Sequence, residues 1–215
     1  MPLHFATTTA AKPDESAITI IIMHGYGADE YDLLPIAKQL QGNYNAISIQ
    51  APIELDWGGF AWYHLSQTIT GIHGDDASRI ESEQMVVDFL RNQKEEGKLN
   101  DIILMGFSQG AAMSYSLLAN EAFHSLGLNL KAVIALSGYI PLDVRPKLSA
   151  RQLDGLPIFI SHGLYDDLIP PQTLDSAKEL LEKQGAIVTA KTYEIGHGLT
   201  EETIADINQF LVDSL

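Results

Sequence analysis

Cysteine is absent from the 215 residues, which excludes disulfides, thiolate nucleophiles and cysteine-ligated zinc. Basic residues are few: 13 Lys and Arg stand against 28 Asp and Glu, a formal net charge of −15. A surface of that sign repels phosphate backbones, so nucleic acid is not expected as a partner. No apolar run approaches the ~20 residues that cross a bilayer, so no membrane span is expected. The opening MPLHFATTTAAKPDES lacks a basic start followed by an apolar stretch. No secretory signal is read from it, and a cytoplasmic location is expected. Internal repeats, low-complexity stretches and linkers are also missing. With 46% hydrophobic and 19% charged residues, the chain has the material for one full core, and a single domain over 1–215 is expected.

What is present alternates. Ala17 to Met23, Asn45 to Pro52, Asp101 to Phe107, Lys131 to Gly138, Pro157 to Gly163 and Ile187 to Tyr193 read as short buried strands. Helical spacing falls between them. Leu33, Leu34, Ala37 and Leu40 follow a cap at Asp29, in a helix expected to run through Lys38. Met85, Val86, Phe89 and Leu90 share one face, Gln109 to Asn120 and Leu174 to Lys183 are helical, and Ile204, Ile207, Leu211 and Leu215 form a last amphipathic helix. Strands apolar on both faces, alternating with helices, predict an α/β fold: a mostly parallel central sheet flanked by helices on both faces. Ile53 to Arg79 breaks the pattern, a long excursion of the kind that tends to carry function. Only about 20 residues join Gly138 to Pro157, which leaves no room for a large cap domain.

Gly106-Phe107-Ser108-Gln109-Gly110 fits G-x-S-x-G, with a strand before it and a helix after it. A serine pushed out on so tight a turn needs neighbours without side chains two before and two after it. This makes Ser108 a candidate nucleophile. The helix that starts beside it favours negative charge, so the Gln109 amide is a candidate oxyanion donor. A second donor belongs on a loop after an earlier strand, and Tyr26 in His24-Gly25-Tyr26-Gly27 is placed for it. Serine needs an adjacent base oriented by a carboxylate, in the chain order Ser, Asp or Glu, His. Of seven histidines, His4, His24, His64 and His73 precede Ser108, His124 ends a helix, and His162 leaves no later strand end for an acid. His197 remains, after the last strand and between Gly196 and Gly198. The acid belongs after PIFIS, where Asp166 and Asp167 both qualify by position.

The strings MHGYGAD, GGFAWYHL, GFSQGAAM, LSGYIP, SHGLYDDLIP and KTYEIGHG, in this order along nearly the whole chain, resemble the bacterial carboxylesterase, lysophospholipase and acyl-protein thioesterase family. The resemblance implies the α/β-hydrolase fold and a Ser-His-Asp triad. It selects Asp166, four residues before Pro170, as the acid, with His197 as base and the Tyr26 and Gln109 amides as oxyanion donors. Ala111 follows Gly110 where the family often has a second glycine, which narrows the elbow, and GIHGDDASRIES matches only loosely. The implied activity is a serine carboxylesterase acting on short-to-medium acyl esters through an acyl-enzyme. An acyl-protein thioesterase or lysophospholipase uses the same triad, so the substrate is a small-molecule ester or an acyl thioester. Trp62 and Tyr63 occupy the family's substrate-loop position, and with Leu65, Ile69 and Ile72 they are expected to line an open acyl groove. No metal or organic cofactor is expected, and a homodimer is an assembly the sequence allows. A catalytically silent small-molecule binder on this fold would lack a triad position, and none is missing.

Overall fold

Parallel strands buried on both faces must be apolar at successive positions, and ITIIIM, DIILMGF and PIFISHG meet that demand. The computed structural model describes residues 3–10, 17–69 and 71–215. Its elements run β1 (Phe5–Thr8), β2 (Ile18–Met23), α1 (Leu34–Ala37), β3 (Tyr44–Ile49), β4 (Ile53–Glu54), β5 (Phe60–Ala61), β6 (Leu65–Thr68), β7 (Gly71–Gly74) and α2 (Asp76–Glu95). There follow β8 (Asp101–Phe107), α3 (Gln109–Ala119), α4 (Glu121–His124), β9 (Asn129–Leu136), α5 (Val144–Ser149), β10 (Pro157–Gly163), α6 (Gln172–Lys183), β11 (Ile187–Tyr193) and α7 (Glu201–Ser214). The main sheet has the order β1-β3-β2-β8-β9-β10-β11. Only its edge strand β1 pairs antiparallel, with Phe5 opposite Ile49.

Side chains alternate across the sheet and build a core on each side. Ile20, Ile22, Ile103, Met105 and Phe159 face α1 and α7, against Leu34, Ile207, Phe210 and Leu211. Ile21, Met23, Ile102, Leu104, Ile158 and Ile160 face the opposite way, against Val86, Leu90, Met113, Leu117, Leu174 and Leu181 of α2, α3 and α6. Among the described residues, no helix is long and apolar enough to cross a membrane.

A buried cation fastens the second layer. Arg79 of α2 is 1% exposed and donates to both carboxylate oxygens of Asp143 at 2.7 and 2.6 Å, to Ser116 Oγ of α3 at 2.7 Å and to Glu83 at 3.3 Å.

The structure departs from the sequence reading in places. Asp29 does not cap a helix; its carboxylate accepts the Tyr31 N–H at 2.9 Å, a local turn. The helix expected from Asp29 through Lys38 shrinks to α1, with Pro35 in its first turn. The excursion from Ile53 resolves into two antiparallel hairpins, β4–β5 and β6–β7, before Asp75 caps α2 by accepting the Ser78 N–H at 2.8 Å. The linker between β9 and β10 holds the short α5 and no cap domain.

Candidate active site

Ser108 sits between β8 and α3 at φ 55° and ψ −115°, a conformation that L-residues rarely adopt. The strand-to-helix reversal is only possible because the chain is bare on either side. A Cβ on Gly106 would lie 2.1 Å from the Gly110 oxygen, and one on Gly110 would lie 1.9 Å from the Met23 oxygen. Ser108 occupies the N-cap position of α3 yet makes no capping bond, which leaves its hydroxyl free to turn outward. Its N–H is tied to the Leu136 carbonyl at 2.9 Å, so the turn is also anchored to the end of β9. Ala111 finds its room because position 138 on the facing strand end is glycine: a Cβ there would stand 2.4 Å from the Ala111 Cβ.

Three residues from three strand ends meet. His197 Nε2 is 2.9 Å from Ser108 Oγ, and His197 Nδ1 is 2.7 Å from Asp166 Oδ2. The loops that carry the acid and the base are stitched together through their backbones. Leu164 N–H donates to the Tyr193 carbonyl at 2.8 Å and Tyr165 N–H to the Ile195 carbonyl at 2.9 Å. Beyond His197, Thr200 and Thr203 cap α7 reciprocally, side chain to backbone, at 3.1 and 3.2 Å. The Phe107 ring packs 4.9 Å from the imidazole.

Asp166 is buried, while Asp167 is exposed. Asp166 Oδ1 accepts the N–H groups of Leu168 and Ile169 at 3.0 and 2.9 Å. Its Oδ2 faces His162 Nε2 at 3.1 Å as well as His197, and the same His162 nitrogen lies 2.9 Å from the Ile169 carbonyl. Burial on its own would raise the carboxyl's pKa. The hydrogen bonds from Ile169, His197 and Leu168 and the charge of His197 outweigh it and hold Asp166 below the usual carboxylate range.

The loop after β2 lies against the elbow. A Cβ on Gly25 would stand 3.5 Å from the Ser108 Cβ. Among the described residues, neither the Tyr26 amide nor the Gln109 amide has a hydrogen-bond partner within the chain. The Gln109 N–H opens α3 directly after Ser108, and a helix N-terminus is an environment suited to developing negative charge.

Trp62 and Tyr63 are placed differently from the expected open groove. They are 0% and 1% exposed and belong to the core. Gln109 holds their backbone: its Oε1 accepts the Trp62 N–H and its Nε2 donates to the Tyr63 carbonyl, both at 2.9 Å. The Trp62 indole donates to the His24 carbonyl at 2.8 Å, and the Tyr63 hydroxyl pairs with that of Tyr139 at 2.9 Å. Aromatic rings that large and amphipathic fill a core well once their polar atoms find partners, as here. Leu65 and Ile69 are exposed on the β6–β7 hairpin, Ile69 fully. The Ile72 side chain lies outside the described residues. Sequence reasoning did not single out Trp57, which is 72% exposed with its ring 6.2 Å from that of Tyr26. Nor did it give His162 or His24 a place in the site. Among the described residues, no cluster of His, Asp and Glu is arranged to hold a metal ion.

The phospholipase/carboxylesterase family profile matches residues 5–215. An acyl-protein thioesterase 1 homolog from Dictyostelium discoideum is 29% identical over 212 residues, covering 92% of this chain and 90% of that protein. Acyl-protein thioesterase 1 of Kluyveromyces lactis is 27% identical, covering 100% of this chain and 99% of its own. Among solved structures, the carboxylesterase of Bacillus cereus superposes with a TM-score of 0.82 at 22% identity, over 99% of this chain and 95% of that one, a likeness of fold.

Proposed function

The chain belongs to the phospholipase/carboxylesterase family of α/β-hydrolases, and on that premise we propose that it is a serine carboxylesterase for short-to-medium acyl esters. One observation carries the reading: the unbroken line Ser108 Oγ, His197, Asp166, at 2.9 and 2.7 Å. In the first half-reaction His197 Nε2 takes the Ser108 proton as Oγ attacks the acyl carbon. Asp166 keeps the other proton on Nδ1 and stabilises the imidazolium. The Tyr26 and Gln109 amides hold the tetrahedral oxyanion. His197 then protonates the leaving alcohol, and the acyl group stays on Ser108. Water, deprotonated by the same imidazole, releases the acid and restores the enzyme. Side chains and backbone amides of this chain perform every step.

We assign acyl contact to Trp57 beside Tyr26, and to Leu65 and Ile69. Their hairpin begins two residues after the Tyr63 carbonyl that Gln109 holds. An acyl-protein thioesterase is the second reading, favoured by the names of the curated relatives; it needs no change in the machinery. Nitrophenyl esters of increasing chain length, a lysophospholipid and a palmitoyl-peptide thioester, tested with wild type and Ser108→Ala, separate the two. The carboxylesterase reading predicts a maximum on short-to-medium esters and negligible thioester turnover. A preference for the palmitoyl thioester replaces it with the second reading, and undiminished turnover by Ser108→Ala contradicts both.

A further inference from the structure

His24 follows β2 directly and is fully buried, but its position before Ser108 bars it from the role of base. Its ring has two fixed partners. Nδ1 lies 2.7 Å from the Gly25 carbonyl oxygen, and the Ala51 N–H donates to Nε2 at 3.0 Å. A carbonyl needs a donor and an N–H needs an acceptor, so one neutral tautomer satisfies both: the proton sits on Nδ1. Burial pushes the ring's pKa down, against the opposing pull of the Gly25 carbonyl and the Asp29, Asp32 and Glu30 carboxylates.

The consequence lies in a single peptide unit. The Gly25 carbonyl and the Tyr26 N–H belong to the same trans peptide, in which C=O and N–H point in opposite directions. Holding the oxygen against the imidazole turns the Tyr26 N–H the other way. The Ala28 N–H also reaches the Gly25 oxygen, at a longer 3.3 Å. His24 itself is held through its backbone, whose carbonyl accepts from the Trp62 indole at 2.8 Å.

We propose that His24 is a positioning residue for the oxyanion hole. Its Nδ1–H locks the Gly25–Tyr26 peptide with the Tyr26 amide toward the tetrahedral oxyanion. A flipped peptide would set the Gly25 carbonyl oxygen in the amide's place, repelling the charge it should stabilise. The inference rests on the proposed role of Tyr26 in ester hydrolysis.

Two substitutions separate this from a purely structural role. In His24→Asn the amide NH₂ sits near the place of Nδ1 and keeps the donor to Gly25. In His24→Gln the side chain reaches the place of Nε2 and keeps only the acceptor for Ala51. Both are compared with wild type and Ser108→Ala on a nitrophenyl ester, and for affinity toward a trifluoromethyl ketone, which adds to the serine as a tetrahedral oxyanion. His24→Gln is expected to lose about 100-fold in kcat with KM nearly unchanged, on the scale of losing one oxyanion donor, while His24→Asn stays within about 10-fold of wild type. Ketone affinity should fall in step with kcat. Equal kcat in the two variants, or a loss confined to KM, overturns the proposal. Nitrogen-15 NMR of the wild-type imidazoles asks the same question without a substitution. The Nδ1–H tautomer is expected for His24, and the Nε2–H tautomer would overturn the proposal, since Nδ1 would then have no proton to donate. An active Ser108→Ala would instead overturn the hydrolytic reading itself, so the two failures are distinguishable.

Discussion

Gln109 and Trp62 lie 47 positions apart, and the Gln109 side-chain oxygen accepts the Trp62 backbone N–H at 2.9 Å. The companion bond from Nε2 to the Tyr63 carbonyl makes the side chain a two-point clamp. Its own main-chain N–H stays free beside Ser108. Gln109→Ala leaves a buried N–H and a buried C=O without partners, at about 1–3 kcal/mol each. The amide at position 109 survives the change, so kcat per active serine should fall far less than stability does. Urea unfolding reads the first effect, and kinetics normalised by serine titration read the second. An unchanged unfolding midpoint contradicts the clamp.

The neighbouring carboxylates should behave oppositely. Asp166→Asn removes the charge that faces His197 and should lower kcat by roughly 10⁴, the scale seen when a triad aspartate loses its charge. Asp167 is exposed, and Asp167→Asn should leave kcat within a few-fold of wild type. The reverse pattern, measured on one ester, would reassign the acid.

The same carboxyl predicts how stability depends on pH. Asp166 is held below its ordinary pKa, so its native value lies under the unfolded one. Such a group stabilises the fold fully above the unfolded pKa of about 3.9, and the contribution drains away as pH falls through the native value. Below about pH 4, the Tm of wild type should therefore drop more steeply than that of Asp166→Asn. Calorimetric Tm curves that stay parallel through that window contradict the assignment.

Arg79 gives a prediction remote from the chemistry. Removing one partner of a buried ion pair costs about 3–5 kcal/mol. Asp143 keeps 30% side-chain exposure, so water can replace part of the lost contact. Arg79→Ala is expected near the lower end of that range, by chemical denaturation. The Arg79→Ala, Asp143→Ala pair should be non-additive, because the two residues share the contact of one guanidinium nitrogen with both carboxylate oxygens. Additive losses would mean that this contact does not couple α2 to α5.

Three strands, β8, β10 and β11, were legible to the residue: β8 and β10 because parallel strands buried on both faces are apolar and stop at turn residues, and the half-exposed edge strand β11 because its run IVTAKTY is rich in β-branched residues. Edge strand β1 was not, since FATT is half exposed and owes its conformation to pairing with β3. The helix expected after Asp29 failed locally. A carboxylate that can close a turn on Tyr31 does so, and Pro35 delays the helix. The G-x-S-x-G elbow pointed to Ser108 and chain order to His197, but chain order left Asp166 and Asp167 tied until the family resemblance intervened. Their unequal burial depends on how the β10 loop folds back on Ile195. Trp62 and Tyr63 look like groove residues in a glycine-rich loop. Only the distant Gln109 side chain reveals them as core. Chain order also removed His24 and His162 from the search for a base, while their contacts with Gly25 and Asp166 exist only in three dimensions.

The central claim is that Ser108 carries the acyl group between two half-reactions, and intact-mass spectrometry tests it most directly. The enzyme is mixed rapidly with excess nitrophenyl acetate, quenched in acid and weighed, then digested to locate the label. One acetyl group on Ser108, absent from Ser108→Ala and long-lived in His197→Ala once formed, is the predicted result. Ester turnover with no covalent adduct, or an adduct on another residue that persists in Ser108→Ala, would contradict the account.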